Sequence, residues 1–230
     1  METSKLKVVC ISDTHNMHDQ LDSLPEGDIL VHAGDATGRG RVEELEAYNN
    51  WLGSVKHKYK HIIIIAGNHD WLFQLDQAKA RSIMSNAIYL EDEMIEIEGR
   101  KIYGSPHQPE FCNWAFNVPR GAKIKEKWDL IPSGLDLLIT HGPPHGLCDT
   151  LRKMVMGDDE KGRLTYSEHM IHLGCEDLYR AVMDKKPKNH VFGHIHDGYG
   201  TFKDSDTLFV NASTCTEQYR PINPPIIIYI

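Results

Sequence analysis

The sequence predicts an α/β fold, a four-layer α-β-β-α sandwich in which two stacked mixed β-sheets are flanked by helices. Three observations carry that expectation: short apolar runs that end abruptly in polar residues, amphipathic helical stretches between them, and a C-terminal part rich in strand signals. A length of 230 residues gives one sizeable buried core and is short for two, so a single domain over residues 1–230 is expected.

Leu6 to Ile11, Ile29 to Ala33 and Ile62 to Ala66 are nearly continuous apolar runs, as strands covered on both faces are. Between the second and third, Val42, Leu45, Tyr48, Trp51, Leu52 and Val55 recur at helical spacing and put one apolar stripe toward a sheet. Met94-Ile95-Glu96-Ile97 and Lys101-Ile102-Tyr103 flank Glu98-Gly99-Arg100, a hairpin signal. Leu135 to Ile139 and Val191 to Phe192 resume the buried strands, with Leu208 to Val210 a further run. Tyr199 to Phe202, Leu208 to Asn211 and Ile226 to Ile230 read as antiparallel strands, which makes the stacked sheets mixed. The stretch from Met154 to Glu168 holds Gly157-Asp158-Asp159-Glu160-Lys161-Gly162-Arg163, polar and flanked by glycine, and reads as a surface loop or insertion.

Charge narrows the partners. With 25 Lys+Arg against 33 Asp+Glu the formal charge is -8, a poor footprint for a nucleic-acid backbone, so no long nucleic acid is expected. Small anionic substrates stay open, because bound divalent cations reverse the local field. The 5 cysteines are scattered and never in Cys-x-x-Cys spacing, which suggests neither a disulfide framework nor a thiolate zinc site and fits a reducing compartment. Met1 to Lys7 lacks a signal-peptide layout, and no apolar run approaches the ~18 residues of a membrane span. A cytoplasmic protein without a membrane partner is the expectation, its oligomeric state open.

Chemistry-bearing residues gather just past strand ends. Asp13-Thr14-His15 follows the first run, Gly34-Asp35 the second, Gly67-Asn68-His69-Asp70 the third, His141-Gly142 the fourth and Gly193-His194-Ile195-His196 the fifth. In open α/β sheets that edge is where ligands bind, so residues distant in sequence converge there. Asp13 and His15 are two apart, as are His194 and His196, and in extended backbone such a step sends both side chains to one side. Glycines 34, 67, 142 and 193 are expected to permit tight turns where a Cβ would crowd the site. Imidazole, carboxylate and amide oxygen without thiolate make a mixed N/O donor set suited to Mn, Fe or Zn. Any one of these motifs alone reads as a turn or cap; their conjunction in one structural context points to a metal site. His18, His32, His57, His61, His169, His172 and His190 lack that context and read as surface or packing residues.

The ordered set Asp13-x-His15, Gly34-Asp35, Gly67-Asn68-His69-Asp70, His141 and Gly193-His194-x-His196 resembles the calcineurin-like metallophosphoesterase superfamily. Gly104-Ser105-Pro106, Asn113-Trp114-Ala115-Phe116-Asn117, His141-Gly142-Pro143-Pro144 and Asn211-Ala212-Ser213-Thr214-Cys215 are similar to its metallophosphoesterase-domain-containing, class III phosphodiesterase-like subgroup. The resemblance implies two divalent metal ions, with Mn as the supporting metal: one ion on Asp13, His15, Asp35 and His196, with Asp35 bridging, and the other on Asn68, His141 and His194. It implies that His69 is catalytic. Two positions depart from the pattern. Asp35-Ala36-Thr37-Gly38 lacks the second Asp that the superfamily often has three residues after the bridging one, leaving its orienting role vacant or filled elsewhere, and His107 stands where close relatives often carry Trp.

The resemblance implies a dinuclear phosphodiesterase acting on small phosphodiesters such as cyclic nucleotides, through attack of a metal-bridging hydroxide with His69 assisting the leaving oxygen. A phosphomonoesterase or protein phosphatase would use the same centre, and a catalytically weak nucleotide-binding regulatory protein would keep it without turnover. The outer pocket decides. His107, Gln108, Trp114, Asn117 and Arg120 are candidates for its wall, although Trp114 and Phe116 read equally well as core aromatics.

Overall fold

The computed structural model describes residues 5–21, 24–158 and 164–230. Strands β1 (Lys7–Ile11), β2 (Ile29–Ala33) and β3 (His61–Ile65) form from the first three apolar runs, with α1 (Val42–Val55) between the last two. There follow α2 (Trp71–Leu75), α3 (Gln77–Ile83), β4 (Ile88–Tyr89) and the hairpin of β5 (Glu93–Ile97) and β6 (Arg100–Ser105). Two short strands, β7 (Gln108–Pro109) and β8 (Asn117–Val118), precede α4 (Ala122–Trp128) and β9 (Leu137–Thr140). Next come β10 (Thr150–Asp158), β11 (Leu164–His172), α5 (Glu176–Lys185) and β12 (Asn189–Phe192), then β13 (Gly200–Lys203), β14 (Leu208–Asn211) and β15 (Ile226–Tyr229).

One sheet runs β15-β1-β2-β3-β4, with β1 to β4 parallel and β15 antiparallel at the edge. The other runs β13-β14-β12-β9-β6-β5, parallel from β14 to β6 with antiparallel strands at both edges. The run Leu208 to Asn211, expected to be antiparallel, is so toward β13 only; on its other side it lies parallel to β12.

Side-chain alternation sorts the strand residues into layers. Val8 and Cys10 of β1, Val31 of β2 and Ile63 of β3 meet Ile102, Leu137, Ile139, Val191 and Val210 of the second sheet in a dry inter-sheet core. On the opposite face Val9, Leu30 and Ile64 receive Leu45, Tyr48 and Leu52 of α1 together with Phe73, Ala80 and Met84. Tyr103, Leu138, Phe192 and Phe209 receive Ile124 and Trp128 of α4 and Leu178 and Val182 of α5. Helices therefore cover both outer faces, giving the expected four-layer sandwich. Glu44 in the first turn of α1 accepts the Arg41 and Arg39 backbone N–H groups at 2.8 and 3.1 Å, and the Asn16 amide at 2.8 Å. One carboxylate thus starts the helix and fixes the loop that enters it.

The stretch expected to be a loop at Met154–Glu168 falls largely in strands. β10 and β11 pair antiparallel from Thr150↔His172 to Asp158↔Leu164, and the expected turn residues 159–163 lie outside the described residues. This hairpin stands apart from both sheets, and Met154, Met156 and Met170 are exposed along it. Charged and polar residues interrupt both strands, so the sequence does not show the clean apolar alternation by which strands are recognised.

Ile139 is fully enclosed between the sheets. Ile139→Ala should lower unfolding free energy by ~2–5 kcal/mol through lost burial and the cavity left behind, whereas Met94→Ala at an exposed position should stay within about 0.5 kcal/mol. Urea unfolding of both variants checks this; equal losses would refute the layer assignment.

Candidate metal centre

Parallel pairing sends the C-terminal ends of β1, β2 and β3 to the same edge as those of β9 and β12. There the two sheets are stitched together: Ser12 bridges Ser213, and the Thr214 N–H donates to the Ser12 carbonyl at 2.8 Å. The residues that follow the strands turn at once into a shared cleft. Asp13, His15, Asp35 and His194 all adopt left-handed backbone, with φ of 52, 43, 55 and 68°. Such angles are costly for residues with a Cβ and persist where the surroundings over-determine them. The extended geometry expected for Asp13-x-His15 and His194-x-His196 is therefore absent. His196 sits with Asp13 and His15, while His194 sits with Asp35 and His141, so the second pair is divided between two clusters.

Two glycines are dictated by the carboxylates. A Cβ on Gly67 would collide with Asp35 Oδ1, and one on Gly193 with Asp13 Oδ2 and Ser12 Oγ. Gly142 is different: a Cβ there would meet only Gln108 Cβ at 3.5 Å and His194 at 4.0 Å, ordinary contacts, so the expected crowding is not found.

Three groups of ligand atoms gather within 4.8 Å: Asp13 with His15 and His196, His15 with Asp35 and His69, and Asp35 with His141 and His194. His196 Nε2 lies 3.4 Å from Asp13 Oδ1 and 3.3 Å from His15 Nε2. Asp35 Oδ2 lies 3.4 Å from His141 Nε2 and 3.9 Å from both His15 Nε2 and His69 Nε2. Asn68 Oδ1 is 3.0 Å from His141 Nε2. Backbone carbonyls choose the tautomers: Nδ1 of His141 faces Ala33 O at 3.0 Å, Nδ1 of His196 faces Thr216 O at 3.0 Å and Nδ1 of His69 faces Gly38 O at 2.8 Å. Each of these imidazoles, when neutral, then presents its Nε2 lone pair to the cleft, the arrangement that orients metal-binding histidines. The remaining carboxylate oxygens are held as well. Asp13 accepts from Ser213 Oγ at 2.9 Å and from the His194 N–H, and Asp35 Oδ1 from the His69 N–H at 2.8 Å.

The electrostatics call for cations. Burial works against ionised Asp13, but the hydrogen bond and charge of His196, with His141 and His15, hold its carboxyl well below the usual range. Burial likewise opposes Asp35, and His141, His69 and His15 hold it low. Burial also disfavours charge on His141 and His196, yet Asp35 raises the first to about 9 and Asp13 the second to about 9. At His15 and His194 burial prevails and lowers them to about 4 and about 3. Two buried carboxylates thus draw protons onto neighbouring imidazoles, and the same mixed N/O donors fit divalent cations.

His15, Asp35, Asn68, His69, His194 and His196 line a cleft of about 560 Å³, with Asp13 and His141 buried beside them. Over residues 6–198 the chain matches the calcineurin-like phosphoesterases. It belongs to that family, and so to the phosphoric ester hydrolases. Metallophosphoesterase domain-containing protein 1 of Homo sapiens is 43% identical over 246 residues, covering 96% of this chain and 70% of the human one. UPF0046 protein T07D4.2 of Caenorhabditis elegans is 38% identical over 252 residues, covering 96% of this chain and 59% of its own. Among solved structures, TT1561 of Thermus thermophilus superposes with a TM-score of 0.55 at 11% identity, covering 90% of this chain and 89% of that one, a likeness of fold.

Within this metallophosphoesterase cleft Arg120 lies on the wall, with two guanidinium N–H groups on the carbonyls of Gly174 and Leu173 at 3.0 and 3.1 Å. His107 and Asn117 do not line it. His107 Nε2 meets Asp92 at 3.1 Å, and the Asn117 amide holds the Phe111 and Cys112 carbonyls. Trp114 faces the cleft and stacks on His69 at 4.2 Å between ring centres, with the Arg39 guanidinium 4.6 Å from the indole centre, whereas Phe116 is buried in the core. The missing second Asp has a substitute at its own position: the Gly38 carbonyl, three residues after Asp35, holds His69. Sequence reasoning also gave no role to Asp70, Ser213 or Tyr219. Asp70 accepts from the Gly67 and Thr37 N–H groups at 2.9 and 3.0 Å and from the Thr37 hydroxyl at 2.7 Å, clasping the loops after β2 and β3. Its place in Gly67-Asn68-His69-Asp70 was the available signal.

A divalent ion taking Nε2 of His141 and His196 must displace a proton from each at neutral pH. Affinity should therefore fall as pH drops below about 9, the value to which both are raised. Calorimetric Mn titrations in buffers of different ionisation enthalpy should report that release; a binding enthalpy independent of buffer would show that these imidazoles are already neutral.

Proposed function

We propose that this metallophosphoesterase is a phosphodiesterase for small substrates such as cyclic nucleotides, supported by two divalent ions with Mn as the working metal. The supporting observation is that the Asp13, His15 and His196 cluster and the Asp35, His141 and His194 cluster lie side by side, with Asp35 also within reach of His15, at a cleft whose walls are largely apolar or acidic. Asp13, His15, Asp35 and His196 would hold one ion, and Asn68, His141 and His194, with Asp35 between, the other. Bound there, the pair supplies an activated water and neutralises charge on the phosphoryl oxygens.

The chain's own groups provide the rest. His69 turns its Nε2 to the cleft while Gly38 O accepts from Nδ1–H, so in its imidazolium form the ring places a second proton, on Nε2, for the leaving oxygen. Trp114 restrains the ring by stacking on it. Pro109, Phe111, Trp114, Pro143, Leu151 and Leu173 give the walls an apolar character suited to the groups on either side of a diester. Glu110 and Glu217 also line the cleft, and the guanidinium of Arg120 on its wall already engages two carbonyls. Because the two ions would reverse this acidic field for either ester, the preference for a diester rests on the apolar walls.

Hydrolysis of bis(p-nitrophenyl) phosphate should exceed that of p-nitrophenyl phosphate, vanish with a strong chelator and return with Mn. Faster monoester turnover would favour the monoesterase reading, and nucleotide binding without turnover a regulatory one.

His69→Ala should retain both ions and lose turnover by ~10² to 10⁴, the range for removing a general acid. The loss should be smaller for nitrophenolate, which departs without a proton, than for an alkoxide. An equal loss for both leaving groups would assign His69 to phosphate binding.

A further inference from the structure

Two buried histidines outside the ligand set share one arrangement. His32 of β2 and His190 of β12 are fully enclosed on the helix-facing sides of their sheets, His32 against Tyr48 and His190 against Phe192 and Phe209. His32 Nε2 lies 2.9 Å from the Thr14 hydroxyl, and His190 Nε2 lies 2.8 Å from the Thr140 hydroxyl. Thr14 stands between Asp13 and His15; Thr140 immediately precedes His141. Each hydroxyl continues to a backbone carbonyl, Thr140 to Gly142 at 2.8 Å and Thr14, more loosely, to Ala36 at 3.4 Å.

A hydroxyl has a single proton to donate. Thr140 gives it to the Gly142 carbonyl and so accepts from His190, whose proton is then on Nε2; His32 and Thr14 are arranged in the same way, with the carbonyl of Ala36 farther off. Burial pushes both imidazoles down to about 3, so each is neutral and has only that N–H to give. Nδ1 of both rings is buried without a partner. Such a nitrogen carries a desolvation cost that an apolar side chain in the same place would avoid. Core stability therefore does not account for two histidines, in different sheets, bonded alike to threonines beside ligand-type residues.

What the relays reach is the strained backbone of the centre. Thr14 is flanked by the left-handed Asp13 and His15, and its bond to Ala36 ties them to the loop carrying Asp35. The Thr140 bond spans His141 and fixes the turn from which that ring leaves β9. We propose that His32 and His190 are positioning residues, one for each half of the centre: His32 acts through Thr14 on Asp13 and His15, and His190 through Thr140 on His141. The inference rests on the two-ion reading above.

Titration of the metal-stripped full chain with Mn, followed by the signal of free Mn in electron paramagnetic resonance, reads both affinities. His190→Leu should weaken one site by ~10 to 100-fold, the range for partners of metal ligands, and His32→Leu should weaken the other. In a His141→Ala background, which leaves the Asp13, His15 and His196 site, His32→Leu should still weaken binding and His190→Leu should change nothing. His32→Gln and His190→Gln, whose amide N–H can stand in for Nε2–H, should restore much of the affinity. Should a leucine variant fail to fold, Thr14→Val or Thr140→Val removes the same hydroxyl while keeping its shape. Equal weakening of both sites, or unchanged affinities in a variant that melts like the wild type, overturns the proposal and leaves the two-ion reading standing. A wild-type chain that binds no Mn overturns both.

Discussion

Two carboxylates, those of Asp13 and Asp35, are withdrawn from water where the two sheets meet, and the surrounding structure answers to their charge. A buried carboxylate without a counter-charge is prohibitively unfavourable, so every neighbour that donates a proton or presents a lone pair for a cation acts on the same problem. Imidazoles from four strand ends, a serine hydroxyl from beyond β14 and backbone N–H groups from the loops after β3 and β12 all converge on them. Removing either acid would take away the charge that raises His141 or His196 and leave that buried imidazole neutral, so the strand-end motifs depend on one another through the carboxylates.

The sheets supply the rigidity for that convergence. Their outer faces rest on helices, their inner faces on a shared apolar core, and at the site edge the Ser12–Ser213 bridge keeps the two from drifting apart. Left-handed backbone at Asp13, His15, Asp35 and His194 is tolerable because each lies two to four residues beyond a strand held in place on both faces. Gly67 and Gly193 complete the fit by leaving out the one carbon that would strike a carboxylate. The strain sits where geometry matters most and the scaffold is least able to yield.

Much of this was legible in the sequence because burial writes itself as pattern. Continuous apolar runs marked β1, β2, β3, β9 and β12, and the helical stripe marked α1 at both ends. The ligand-type residues stood out because Asp, Asn and His followed those runs directly. Other features left no such trace. The Gly38 carbonyl that holds His69 belongs to the backbone, and any residue type could present it. Asp13 and His15 come together through left-handed turns rather than through the alternation of a strand, which the sequence pattern did not indicate. His107 sits beside the cleft-lining Pro109 and Glu110 in sequence, yet Asp92 holds it at 3.1 Å and Lys127 at 2.9 Å through one carboxylate oxygen, which turns its own side chain away from the cleft. The β10–β11 hairpin, which belongs to neither large sheet, was hidden because charged and polar residues interrupt its apolar positions.

That hairpin leaves and re-enters the scaffold side by side. Thr150 faces His172 across its base, and Asp149 grips both sides, accepting from His172 at 2.6 Å and from the Gly146 and Gly174 N–H groups at 2.9 and 3.0 Å. Leu151 and Leu173 at that base belong to the cleft wall, while every strand that carries a ligand-type residue lies elsewhere. Paired strands anchored at one end can lengthen or shorten without disturbing what they are anchored to. A change of side chain at Leu151 or Leu173 would therefore reshape the cleft wall without moving any strand end that carries a ligand-type residue.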